Sequence, residues 1–116
     1  MSVESLELHR NNITDTEQYK LIQEKALAGE PEFQYYLGLM FDTGRGVKRS
    51  PKDAIKWYSK AATSGVVNAQ YYLGLLYDTE ESGVPKDPDE AIKWFSMAAE
   101  EGHSMAKVRL NILLGF

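Results

Sequence analysis

The chain has 116 residues, 43% of them apolar and 26% charged, with no cysteine and a net charge of −4. That leaves room for one globular domain and excludes a disulfide framework, a thiolate zinc site and a cysteine nucleophile. The acidic balance argues against nucleic acid as the main partner, and no apolar run approaches the roughly 18 residues of a membrane span.

Residues 1–13 show no hydrophobic period and are expected to be mobile. Met1 to Glu7 lacks the basic flank and apolar run of a secretory signal, so a cytoplasmic location is expected. Thr14-Asp15-Thr16-Glu17 then has the spacing of a capping box, in which a Thr oxygen caps a helix start. The helix it opens ends in Ala26-Leu27-Ala28-Gly29.

The next helix carries the stripe Phe33, Leu37, Met40 and Phe41, with Gly38 in its middle. Glycine there costs roughly 1 kcal/mol relative to alanine. A close helix crossing that excludes a side chain would explain it. Gly44-Arg45-Gly46 breaks the chain. Ser50 before Pro51 marks another start, a cap followed by proline at the first helical position. Ala54, Trp57, Tyr58, Ala61 and Ala62 share one face of that helix. The alanines let a neighbour approach and the rings fill the space between layers. Gly65 fits a left-handed C-terminal cap.

Then the chain repeats itself. Gln34-Tyr35-Tyr36-Leu37-Gly38-Leu39-Met40-Phe41-Asp42-Thr43 returns as Gln70-Tyr71-Tyr72-Leu73-Gly74-Leu75-Leu76-Tyr77-Asp78-Thr79, and Ala54-Ile55-Lys56-Trp57-Tyr58 returns as Ala91-Ile92-Lys93-Trp94-Phe95. Ala69, Leu73, Leu76 and Tyr77 copy the first stripe. Asp87-Pro88 copies the second start and adds Glu90 at the capping-box position, and Gly102 copies Gly65. Repetition at this period signals stacked helix pairs rather than a globule around one closed active site. Gly29 lies one period before Gly65, so the first helix is a degenerate second half of a repeat. Ala106 and Leu110 lie one period after Ala69 and Leu73, so Ser104 to Leu114 is a lone first half.

The pattern resembles the Sel1-like repeat, a relative of the tetratricopeptide repeat. It is carried by Leu37-Gly38, Phe41, Gly44-Arg45-Gly46-Val47, Ala54, Trp57-Tyr58, Ala61-Ala62 and Gly65. It is carried again by Ala69, Leu73-Gly74, Tyr77, Gly83-Val84, Asp87, Ala91, Trp94-Phe95, Ala98-Ala99 and Gly102. Phe33 stands where the family has Ala, and Asn111 stands where it has the Gly of Leu-Gly. Glu80-Glu81-Ser82-Gly83 has one extra residue and lacks the first Gly, so a looser turn is expected there. The resemblance implies an all-α fold, a short right-handed superhelix of about five antiparallel helices. The expected layout is a flexible 1–13 and one domain over 14–116. That domain divides into a half repeat 14–30, repeats 31–66 and 67–103, and a C-terminal capping helix 104–116.

The same resemblance implies a non-enzymatic adaptor or scaffold that binds a peptide or helix of another protein on its concave face. First helices of such repeats line that face. Tyr36, Leu39 and Thr43 share an arc away from the core stripe, as do Tyr72, Leu75 and Thr79, followed by Arg109 and Ile112. Tyr36, Leu39, Tyr72, Leu75 and Arg109 are the candidate binding residues, since exposed aromatic and aliphatic groups beside an Arg have the composition of a binding hot spot. The competing reading packs them between adjacent helices. Tyr35 and Tyr71 read as structural.

Charge suggests a second possibility. Repeat 31–66 is net +3 and repeat 67–103 net −6. Lys52, Lys56 and Lys60 form a ridge behind Lys48 and Arg49, most simply a solvated helix face. The sharper reading is a head-to-tail contact between complementary repeats, weakened by salt. The chain also closes on Leu113-Leu114-Gly115-Phe116 without a polar cap, so the last helix is an alternative route to a homo-oligomer.

Catalytic signals are poor. Ser104-Met105-Ala106-Lys107 matches the Ser-x-x-Lys signature of penicillin-recognising enzymes, but its companion elements are missing. A weak hydrolase therefore ranks third. His9 and His103 have no metal-ligand spacing, Gly44-Arg45-Gly46 follows a helix rather than a strand, and no metal or cofactor is expected.

Overall fold

In the computed structural model, which describes residues 14–116, six α-helices follow one another with no strand among the described residues. They are α1 (Asp15–Leu27), α2 (Pro31–Thr43), α3 (Pro51–Thr63), α4 (Val67–Asp78), α5 (Pro88–Glu100) and α6 (Ser104–Leu114), with a short 3₁₀ turn, Glu80–Ser82, between α4 and α5. The expected count of about five is one short. Two whole repeats contribute four helices and the two flanking halves add one each. The expectation for residues 1–13 lies outside the described residues.

Each helix starts and stops for a local reason. The side chains of Thr14, Ser50 and Asp87 accept from the backbone N–H groups of Glu17, Asp53 and Glu90, and Pro51 and Pro88 open α3 and α5. At the other ends, Gly29, Gly65 and Gly102 take positive φ values of 94°, 95° and 90°. The following N–H of Glu30, Val66 and His103 reaches back to Lys25, Ala61 and Ala98. Three helices therefore turn through the same glycine motif, which folds each one back onto its successor.

Packing runs between neighbours in the chain: α1 on α2, α2 on α3, α3 on α4, α4 on α5 and α5 on α6. The core lies along this stack. Ala26, Leu37 and Trp57 form one buried cluster. Ala54, Tyr58, Ala61, Ala62, Ala69, Leu73, Leu76 and Trp94 form the central one. Ala91, Phe95, Ala98 and Ala106 form the last. The mid-helix glycines mark the tightest crossings. A Cβ on Gly38 would stand 2.5 Å from Cδ1 of Tyr58, and one on Gly74 would stand 2.6 Å from Cε1 of Phe95.

The longer turn of the second repeat is not loose. The same backbone bond closes both loops, Ser50 N–H to Phe41 and Asp87 N–H to Tyr77, so the extra residue is taken up as the 3₁₀ turn. Ser82 is buried, and its hydroxyl donates to the Leu76 carbonyl at 2.8 Å. Arg49 ties the turn to the previous repeat, its Nε donating to the Asp42 carbonyl and its Nη2 to the Ser82 carbonyl at 2.9 and 3.0 Å.

Candidate functional site: a groove beside the first helix pair

The candidate binding residues occupy four different environments. Tyr36 is 41% exposed. It lies with Leu39 along an open groove of about 890 Å³ that α1 and α2 form together. From α1 come Gln18, Leu21, Ile22 and Lys25, spaced as one helix face. From α2 come Phe33, Tyr36, Leu39, Met40 and Thr43, with Arg45 beyond its end. Among the described residues no acidic side chain lines it. Phe33, which stands where small residues are expected, meets Tyr36 edge-on with centroids 5.9 Å apart, and the Lys25 ammonium lies 5.3 Å from its ring centre.

Tyr72, the copy of Tyr36, is half-buried. Its ring stacks on Tyr35 and on Tyr58 with centroids 6.1 and 6.0 Å apart. Leu75 packs against the last core cluster. Arg109 lies on α6 and pairs with Asp78 at 3.9 Å. Tyr36 and Leu39 are thus brought together in the groove, and the other three lie elsewhere on the stack.

The difference between Tyr36 and Tyr72 follows from the register. In the second repeat, Tyr72 packs backward onto Tyr35 of α2 and Tyr58 of α3, the preceding first and second helices, and Ala69 and Leu76 share the central cluster with Ala54, Tyr58, Ala61 and Ala62 of α3. The first-repeat copies of Ala69, Tyr72 and Leu76 are Phe33, Tyr36 and Met40. These meet α1, a second helix, but among the described residues no first helix stands before it. The groove is the place such a helix would occupy.

Tyr35 reads as structural here too. Burial, then the phenols of Tyr72 and Tyr36, push its hydroxyl up to about 12. Tyr71 stacks on His103 at 4.4 Å. The spacing arguments missed what His103 does: its Nδ1 accepts from the Ala106 N–H at 3.1 Å and caps α6. They also missed Gln34 and Gln70, whose amides donate to the Ala26 and Ala62 carbonyls at the ends of α1 and α3. Their recurrence at one register position was the available signal.

The lysine ridge is exposed, with the Lys56 and Lys60 ammonium groups 5.3 and 5.8 Å from the Trp57 ring centre. Ser104 and Lys107 are both exposed on the first turn of α6. Among the described residues no three His, Cys, Asp or Glu side chains gather to hold a metal, and no helix is long and apolar enough to cross a membrane.

Known proteins match this architecture. The family model described as Sel1 repeat matches residues 31–66 and 67–103. A crystal structure of a protective antigen present in uropathogenic Escherichia coli strains, which displays an SLR fold, superposes with a TM-score of 0.79 at 34% identity over 84% of this chain. A Sel1 repeat protein from Oxalobacter formigenes superposes with a TM-score of 0.78 at 29% identity over 85% of the chain. The chain spans 21% of the first of these proteins and 40% of the second. No curated protein matches the sequence.

Proposed function

Because the chain belongs to the Sel1 repeat family, we propose that it is a non-enzymatic interaction module whose groove between α1 and α2 receives an amphipathic helix of another polypeptide. Sel1 repeat proteins generally mediate protein–protein interaction. The supporting observation in this chain is the contrast between Tyr36 and Tyr72. One residue type at one register position is packed where a first helix precedes it and exposed where, among the described residues, none does. An incoming helix would cover Tyr36 as Tyr35 of α2 covers Tyr72. The recognition is mainly apolar, through Leu21, Ile22, Phe33, Tyr36, Leu39 and Met40.

A pull-down from a lysate of the source organism tests this, with Tyr36→Glu beside the wild type and folding checked by circular dichroism. A band lost only with the folded variant supports the groove. A band held equally by both would move the binding surface elsewhere.

A second reading, self-association, is favoured by the far end of the stack. Met105, Val108, Ile112, Leu114 and Phe116 of α6 and its tail are all exposed.

A further inference from the structure

The large hydrophobic residues exposed among residues 14–116 are confined to the two ends of the stack. Leu21, Leu27 and Tyr36 lie at the α1–α2 end, and Met105, Val108, Ile112, Leu114 and Phe116 lie at the α6 end. Helices α3, α4 and α5 contribute none. An apolar face at each end of an otherwise sealed array points to contact between ends.

The two ends are also different halves of the same unit. α6 is a first helix: Ala106 and Leu110 occupy the positions of Ala69 and Leu73 and pack on α5 in the same way. Its forward face, however, is exposed among the described residues. Val108 and Ile112 stand where Tyr71 and Leu75 stand in α4. Those two are half-buried against the following helices, whereas Ile112 is 66% exposed. α1 is the reverse, a second helix with a groove where a first helix would lie.

Resting on the groove as a helix-binding site, we propose that its occupant is α6 of a second copy of this chain. The two half repeats would join into one composite repeat, and the solenoid would continue from copy to copy. Two register positions fit this arrangement. Val108 of one copy would lie beside Tyr36 of the next, as Tyr35 lies beside Tyr72 within the chain. Asn111, at the position of Gly38 and Gly74, would face Ile22, at the position of Tyr58 and Phe95. A larger residue on the first helix is matched by a smaller one on the second, so the crossing keeps its volume. The contact joins two unlike surfaces and does not close on itself, so it generates an open array rather than a symmetric dimer.

Sedimentation velocity on the full chain tests this. The mean mass of the wild type should climb with concentration without a plateau and should persist at high salt, because the contact is apolar. Tyr36→Glu, which blocks the groove, and Ile112→Glu, which blocks α6, should each be monomeric. An equimolar mixture of the two should form a pair and stop there, since one copy keeps an intact α6 and the other an intact groove. Leu21→Glu and Val108→Glu serve as second variants should either of the first lose its helical circular dichroism.

Three results would overturn the proposal: a wild type that is monomeric at every concentration, a Tyr36→Glu variant that still assembles, or folded monomeric variants that fail to pair on mixing. The first leaves the groove available to a helix of another protein, and the pull-down then decides that reading. The second removes the groove from self-assembly and points to a symmetric α6 contact.

Discussion

The hydroxyl of Tyr58 donates to the carboxylate of Asp42 at 3.0 Å, from a ring with no solvent-exposed surface. The second repeat has no such bond, because Phe95 replaces the tyrosine, and Asp78 instead pairs with Arg109. A carboxylate at one register position thus stabilises its own repeat in one case and the next helix in the other. Tyr58→Phe should fold, since Phe95 already shows that the ring alone fills the site. It should lose about 1.5–3 kcal/mol at neutral pH, the net worth of one hydrogen bond to a charged group.

The same bond predicts a pH dependence. Burial first, and then the Asp42 carboxylate, raise the Tyr58 hydroxyl above the ordinary tyrosine value of 10.0. Burial and neighbouring phenols raise Tyr35 to about 12. The unfolded chain therefore releases these protons first, and stability falls as pH climbs through 10 toward 12. Below pH 10 the contribution is fully present. Urea denaturation across this range should show a shallower fall for Tyr58→Phe than for the wild type. Equal slopes would mean that the Tyr58 hydroxyl is open to water.

Glycine at the helix crossing gives a paired prediction. Alanine is the better helix former by roughly 1 kcal/mol, yet in Gly38→Ala and Gly74→Ala the new methyl would collide with the Tyr58 and Phe95 rings. Overpacking of this kind costs about 1–3 kcal/mol, so both variants should be less stable. Asn111 holds the same register position on α6 but is exposed in the single chain, so Asn111→Ala should be neutral or slightly stabilising to the folding of the monomer. Thermal melts of the three variants decide it.

Trp94 is 7% exposed, belongs to the central cluster, and donates from Nε1 to Glu90 at 3.1 Å. Trp94→Ala should cost about 3–5 kcal/mol, a large share of the stability of so short an array. An unchanged melting midpoint would contradict the stacked core.

His103 combines a cap with a ring stack, and two substitutions separate them. His103→Ala should lose both and destabilise α6 by about 1 kcal/mol. His103→Asn should recover the cap without the stack on Tyr71. If Asn performs no better than Ala in urea denaturation, the ring contact rather than the cap holds α6 in place.

The parts of the fold set by neighbouring residues were legible in the sequence. Thr14, Ser50 and Asp87 cap helices because a short oxygen-bearing side chain reaches an N–H three residues on, which no distant contact can alter. Gly29, Gly65 and Gly102 turn the chain because only glycine takes that conformation without strain. The stripes of α3 and α5 are buried as their spacing predicts, and Gly38 and Gly74 signalled close crossings before any ring was placed against them. Tertiary structure decided what depends on position within the array. Tyr36 and Tyr72 are the same residue in the same local sequence. One is exposed and the other packed because, among the described residues, only Tyr72 has a first helix before it. Arg49 secures a turn 33 residues away, and the groove takes its walls from both α1 and α2. A period in sequence specifies the unit and its interior, but exposure depends on neighbours, and at the two ends of a stack the neighbours differ.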